Sequence, residues 1–204
     1  MNNKELDKIL TFMLKASKAK DEKRSGWSIN KIPSEEHVAD HMFSTALLSY
    51  IFGKRKKLDA DRCMGMALIH DIHEAITGDI ATRAKEEDQK VTSSEKKRLG
   101  HIDTMKILSY LPKNEAKFVC GLWNEYEAQE TKEARLVGQI DKLDYIIQAI
   151  VYSKKVRDKR KFEDFFVTAE RKIKDPELLY IFERAKKIIF MMRPKQGSDL
   201  RPTG

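Results

Sequence analysis

Apolar residues return every three or four positions along almost the whole chain, and the strict alternation of a half-buried strand is never sustained. The pattern predicts helices throughout, an all-α fold. Leu6, Ile9, Leu10, Met13 and Leu14 mark a first helix that ends in the charged run 18–24. A loop with Gly26, Trp27 and Pro33 follows. Ser34 is placed to cap a second helix with Val38, Met42, Ala46 and Phe52 on its apolar face and Gly53 as its stop. A third helix spans about 59–77 and closes at Gly78. Thr92 with Glu95 forms a capping box for a fourth, which finishes by Leu111 because Pro112 cannot continue it. Asn114 caps a fifth helix containing Phe118, Leu122, Trp123 and Tyr126. Thr131 opens a sixth through Leu136, Ile140, Leu143, Ile147 and Ile150, and the run 154–161 is too charged for core. Asp175, Pro176 and Glu177 supply a cap, a first-turn proline and a favourable charge for the last helix, which reaches about Met192. The polar tail 194–204 is expected to be disordered. Residues 80–91 form the one long loop, the kind of segment that tends to serve a site.

The chain has 204 residues, 41% of them hydrophobic, which suits one core and is short for several domains. A single domain over 1–193 is expected. A formal charge of +8, from 40 Lys and Arg against 32 Asp and Glu, admits an anionic partner such as a phosphate ester, a nucleic acid or a membrane surface. A solvated lysine-rich face accounts for the charge equally well. Cys63 and Cys120 lie far apart and outside any C-x-x-C spacing, so neither a disulfide framework nor a thiolate zinc site is indicated. The first twenty residues carry Lys and Asp within their apolar rows, and no stretch approaches the roughly 18 uncharged residues of a membrane span. A soluble cytoplasmic protein without a membrane partner is expected.

Chemistry concentrates in two consecutive predicted helices. His37, His41, His70 and His73 fall there, beside Asp40, Asp71, Glu74 and Asp79. A helix brings residues four apart onto one face, so His70 and Glu74 share a direction, while Asp71 lies about 100° round and still converges on a common ion. Imidazole with carboxylate suits a borderline divalent metal such as manganese, cobalt, nickel or iron. Asp141 and Asp144 interrupt the otherwise apolar sixth helix, and a buried carboxylate needs a partner, which a metal can be. Taken singly, His70 reads as a structural histidine and Asp141 as a salt-bridged surface residue. It is their order and company that point to a metal centre.

That order, His41, then His70-Asp71, then Asp141, resembles the HD-domain metal-dependent phosphohydrolases. The stretches 33–42 (PSEEHVADHM), 67–80 (ALIHDIHEAITGDI) and 122–127 (LWNEYE), with 139–144, look closest to the 5′-deoxynucleotidase branch and span most of 26–145. The resemblance implies a single-domain HD-type helical bundle whose divalent metal is held by His41, His70, Asp71 and Asp141. It implies that Glu74 activates or positions the attacking water, that Asp79 holds the deoxyribose and that Trp27 lies against the sugar. Glu125, Tyr126 and Glu127 would border the substrate pocket. Where the bacterial branch has an arginine directly before the tryptophan, Gly26 stands here and the nearest arginine is Arg24, so Lys31, Arg83 or Lys85 is expected to meet the phosphate instead. His73 is expected to face outward rather than to support the site.

The resulting expectation is hydrolysis of a deoxynucleoside 5′-monophosphate by a metal-activated water, with no protein nucleophile. Two rivals stand beside it: an HD phosphohydrolase for a cyclic nucleotide, nucleoside triphosphate or guanosine polyphosphate, and a basic helical nucleic-acid-binding protein without catalysis. Leu178, Leu179, Phe182, Ile188, Ile189 and Phe190 occupy more than one face of the last helix, and the resemblance implies a homodimer.

Overall fold

The computed structural model describes residues 3–33, 36–88 and 91–191. Among the described residues ten α-helices follow one another: α1 (Asn3–Ala16), α2 (Ser25–Ile29), α3 (Val38–Arg55), α4 (Ala60–Ile69), α5 (Glu74–Thr77), α6 (Ser93–Leu108), α7 (Lys113–Ala128), α8 (Lys132–Ser153), α9 (Glu163–Lys172) and α10 (Pro176–Lys186). No β-strand forms among the described residues; a lone bridge joins Lys23 to His37. None of the described helices is long and apolar enough to cross a membrane.

α8 is the axis of the domain. Its apolar positions recur at helical spacing, and Leu136, Val137, Ile140, Leu143, Ile146 and Ala149 are all buried. α3, α4, α7, α9 and α10 pack around it, and α3 lies along α4. A second apolar cluster of Val38, Met42, Ile72, Ala75, Ile107, Leu108 and Leu111 ties α3, α5 and α6 together. The functional side chains emerge where α3, α4 and α8 meet.

Local chemistry explains most boundaries. Thr92 accepts from the Glu95 amide at 3.2 Å, Thr131 from that of Ala134 at 3.1 Å, and Asp175 from those of Glu177 and Leu178 at 3.0 and 3.3 Å. Gly78, at φ +78°, closes α5 as expected.

Other boundaries differ. α3 starts at Val38, and Asp40 accepts from the His37 amide at 2.9 Å, so His37 occupies the cap position; Ser34 lies outside the described residues. Gly53 does not stop α3, which runs on to Arg55. The expected helix over 59–77 is broken, because residues 70–73 form a turn between α4 and α5. α7 is preceded by Pro112, with Asn114 inside its first turn. Val156 is buried despite its charged neighbours, and α9 was not apparent in the pattern at all. A short helix, α2, replaces the expected loop around Gly26 and Trp27. α10 passes into a π-turn over Lys187–Met191, and the expected helix end near Met192 and the tail 194–204 lie outside the described residues.

Candidate active site

His41 projects from α3 and is 1% exposed. Its Nδ1 lies 2.7 Å from Asp144 Oδ2 on α8; a carboxylate accepts, so Nδ1–H donates and Nε2 keeps its lone pair. His70, just past the end of α4, places Nδ1 2.8 Å from the Ala67 carbonyl, which likewise leaves Nε2 as the free donor atom. The break after α4 exposes the His70 carbonyl, which the Trp123 indole N–H meets at 3.3 Å. The two Nε2 atoms stand 3.3 Å apart. Asp71 Oδ2 is 3.2 Å from His70 Nε2 and 3.7 Å from His41 Nε2, and Asp141 Oδ1 is 3.3 Å from His41 Nε2.

Donor atoms of His41, His70 and Asp71 all fall within 4.8 Å of one another, and Asp141 joins the group through His41. Neighbouring ligands of one ion bound at about 2.1 Å stand roughly 3 to 3.5 Å apart, so the spacing fits a single divalent cation. The donor chemistry also fits: both imidazoles direct Nδ1 to an acceptor and turn Nε2 toward the cluster, and both carboxylates are ionised. Burial opposes that ionisation, but His70, Arg24 and His41 hold Asp71 well below the usual carboxylate range, and Lys142 and His41 do the same for Asp141. Burial and Arg24 work against a second proton on His41, yet Asp141 and Asp144 raise its imidazole to about 9, so a metal bound at Nε2 would displace a proton there. A second trio of Glu36, His41 and Asp144 is equally close. There Asp144 serves as the orienting partner of His41, and Glu36 accepts the indole N–H of Trp27.

Beside the cluster opens a cavity of about 510 Å³. Arg24 enters it from the N-terminus of α2. Its Nη1 donates to Asp71 Oδ2 at 3.1 Å, Glu74 Oε2 at 3.4 Å and Asp79 Oδ1 at 3.5 Å. The sequence had set Arg24 aside because Gly26 stands next to Trp27. The helical turn of α2 reverses that expectation: it buries Trp27 against the core and sends Arg24 into the site. Lys31 and Lys85 are exposed and take no part in the cavity lining, whereas Arg83 lines it but is paired with Asp164 at 2.9 Å.

Glu74 is 3% exposed; burial first, then Asp71 and Asp79, push its carboxyl well above the usual range. Asp79 accepts from the Ser25 amide at 2.6 Å and the Ser25 hydroxyl at 3.1 Å, which fixes its carboxylate against α2. Trp27 is 1% exposed and stacks on Phe165 of α9 with ring centres 4.3 Å apart, forming an aromatic wall. Tyr126 and Glu127 border the cavity, but the Tyr126 hydroxyl donates to Asp141 Oδ2 at 2.9 Å and so braces a member of the cluster. Glu125 turns away, to Arg62 and to the Thr131 hydroxyl at 2.7 Å. His73 is buried rather than outward-facing. Its ring lies against Gly100, and its Nδ1 finds no hydrogen-bond partner among the described residues.

Sequence reasoning missed three contributors. Asp144 reads in the sequence only as an acid inside an apolar helix, Lys142 carries no signal there, and Phe165 belongs to α9, which the pattern does not predict. The spacing of Asp144, three positions beyond Asp141 and hence on the same face, was the available clue.

Fold and cluster together define a helical hydrolase of the kind that works with a divalent metal. Residues 16–178 match the HD domain family, and the chain belongs to that family. It is 35% identical to the 5′-deoxynucleotidase HDDC2 of Xenopus laevis over 176 residues, covering 85% of this chain and 83% of that one. It is 34% identical to the protein of the same name from Danio rerio, covering 90% and 91%. Among solved structures, a conserved hypothetical protein from Pyrococcus furiosus superposes with a TM-score of 0.64 at 28% identity, over 87% of this chain and 99% of that one.

Proposed function

We propose that this protein hydrolyses deoxynucleoside 5′-monophosphates to the deoxynucleoside and inorganic phosphate. The observation that carries the reading is the corner where Arg24 reaches Asp71, Glu74 and Asp79 within 3.5 Å, because it sets a phosphate-seeking cation, a basic carboxylate and a sugar-facing carboxylate beside one metal cluster. The names of the relatives from Xenopus laevis and Danio rerio support the same substrate class.

His41, His70, Asp71 and Asp141 would hold the metal, with manganese, cobalt, nickel or iron suited to such donors. When bound, it supplies Lewis acidity and a water acidic enough to attack phosphorus near neutral pH. Glu74 takes up a proton from the attacking water or orients it. Arg24 offsets charge on the phosphoryl oxygens. Trp27 and Asp79 form the sugar wall, and both are immobilised, Trp27 by Glu36 and Phe165 and Asp79 by Ser25. Both Asp79 oxygens are already engaged, by Arg24 and Ser25, and Trp27 offers no acceptor, so a 2′-hydroxyl pressed against such a wall would lose water partners at a cost of about 1–3 kcal/mol, which favours the deoxy sugar. In this reading the protein is a cytoplasmic homodimer whose two cysteines stay reduced.

The test is a panel of phosphate substrates with several divalent metals. A 2′-deoxynucleoside 5′-monophosphate is expected to turn over faster than its ribose counterpart. Equal rates, or action confined to cyclic or polyphosphorylated nucleotides, would sink the assignment.

A further inference from the structure

The stretch 139–144 puts two charges of opposite sign side by side on α8, and only the aspartate has been accounted for. Lys142 follows Asp141 by about 100° of helical turn and emerges on the cavity wall with 28% of its side chain exposed. Its Nζ lies 2.8 Å from Asp141 Oδ2 and 5.9 Å from the centre of the Tyr145 ring.

Lys142 is not the only partner of Asp141. Oδ2 already receives the Tyr126 hydroxyl at 2.9 Å, and Oδ1 faces His41. The ammonium is thus a second donor on an oxygen that is satisfied without it. It sits on a flexible four-carbon stem at the edge of the space where a substrate must enter.

The charge of the cavity gives this cation a task. Asp71, Asp79, Asp141 and Glu74 crowd its floor, and a single Arg24 nitrogen, Nη1, reaches three of them. A divalent metal offsets two charges, yet an incoming phosphate monoester carries close to two more. Other basic side chains at the cavity are committed or peripheral: Arg83 is paired with Asp164, Lys96 donates to the Ile80 carbonyl, and Lys97 and Lys172 are exposed.

We propose that Lys142 is a phosphate-binding residue: its ammonium leaves Asp141 Oδ2 to meet a phosphoryl oxygen of the substrate and remains with the inorganic phosphate after release of the nucleoside. The proposal rests on the reading of this site as one for phosphate esters.

The experiment compares wild type, Lys142→Gln and Lys142→Arg in the metal-loaded protein. Three quantities are read: binding of inorganic phosphate by titration calorimetry, KM for a deoxynucleoside monophosphate, and bound metal by elemental analysis. Losing a charge-assisted hydrogen bond to phosphate should weaken phosphate binding and raise KM about ten- to a hundredfold in Lys142→Gln, with metal content unchanged and most of the loss restored in Lys142→Arg. Unchanged phosphate binding in Lys142→Gln overturns the proposal. So does loss of metal in that variant, which would make Lys142 a support for Asp141 alone. Wild-type protein that binds phosphate through Lys142 but hydrolyses no deoxynucleotide upholds the proposal and overturns the substrate assignment instead.

Discussion

Glu74 shows how much a few ångströms of local structure decide. It opens α5 after the turn 70–73, with Arg24 Nη1 3.4 Å from one of its oxygens, and burial first, then Asp71 and Asp79, push its carboxyl well above the usual range. A carboxylate made more basic in this way is a better proton acceptor near neutral pH, and positioned bases of this kind contribute about 10²–10⁴-fold in rate. Glu74→Gln preserves the shape and removes the basic charge, so turnover is expected to fall within that range while elemental analysis still finds about one metal ion per chain. Loss of the metal would make Glu74 a ligand. Unaltered turnover would remove it from the chemistry. Periodicity alone placed Glu74 one turn beyond His70 on a continuous helix. It reaches the cluster by another route, a tight turn that also frees the His70 carbonyl for the Trp123 indole.

At the scale of elements, the packing of α3 on α4 is the most exacting contact beneath the site, because these two helices carry His41 and lead into His70. Gly53 lies at their crossing, where an added Cβ would come within 2.8 Å of the Ala60 Cα. Backbone cannot yield as a flexible side chain can. Gly53→Ala is therefore expected to cost about 1–3 kcal/mol, as overpacking does. Thermal melting followed by circular dichroism should show a fall of several degrees, and an unchanged midpoint would mean that the helices separate freely. The sequence marked Gly53 as a helix stop, since a glycine near a helix end gives the same local pattern whether it breaks the helix or lets another approach. Caps were legible at Thr92, Thr131 and Asp175 because a side chain and an amide two or three residues on settle them locally. The break at 70–73 was hidden by apolar periodicity that continues through it. α9 was hidden because Phe166 and Ala169 are embedded among Glu163, Asp164, Glu170 and Arg171. The order His41, His70-Asp71, Asp141 was readable as a metal pattern. The place of Arg24 was not, because it depends on α2 coiling between Arg24 and Trp27, a tertiary outcome that no spacing rule records.

For the whole molecule, one unsettled surface is the outer side of α3. Its inner face, with Met42, Ala46 and Phe52, is spent in the core, yet Phe43, Leu47 and Ile51 stand 66%, 50% and 49% exposed at intervals of one helical turn. A helix apolar on both sides is one that expects cover on both sides. The C-terminal segment, which the sequence offered as a subunit face, has committed Leu178, Phe182 and Ile189 to the core and leaves Leu179, Ile188 and Phe190 36–38% exposed, less than the α3 stripe. α3 is about 27 Å long by its rise per residue, long enough for its stripe to pair with the same stripe of a second copy across a two-fold axis, the commonest way soluble chains associate. Light scattering at micromolar concentration is expected to return twice the chain mass. Leu47→Glu would bury an unpaired charge at the centre of such an interface and should yield a folded monomer, with its helical circular dichroism retained. A monomeric wild type would sink the dimer, and a Leu47→Glu protein that stays dimeric would move the interface off α3.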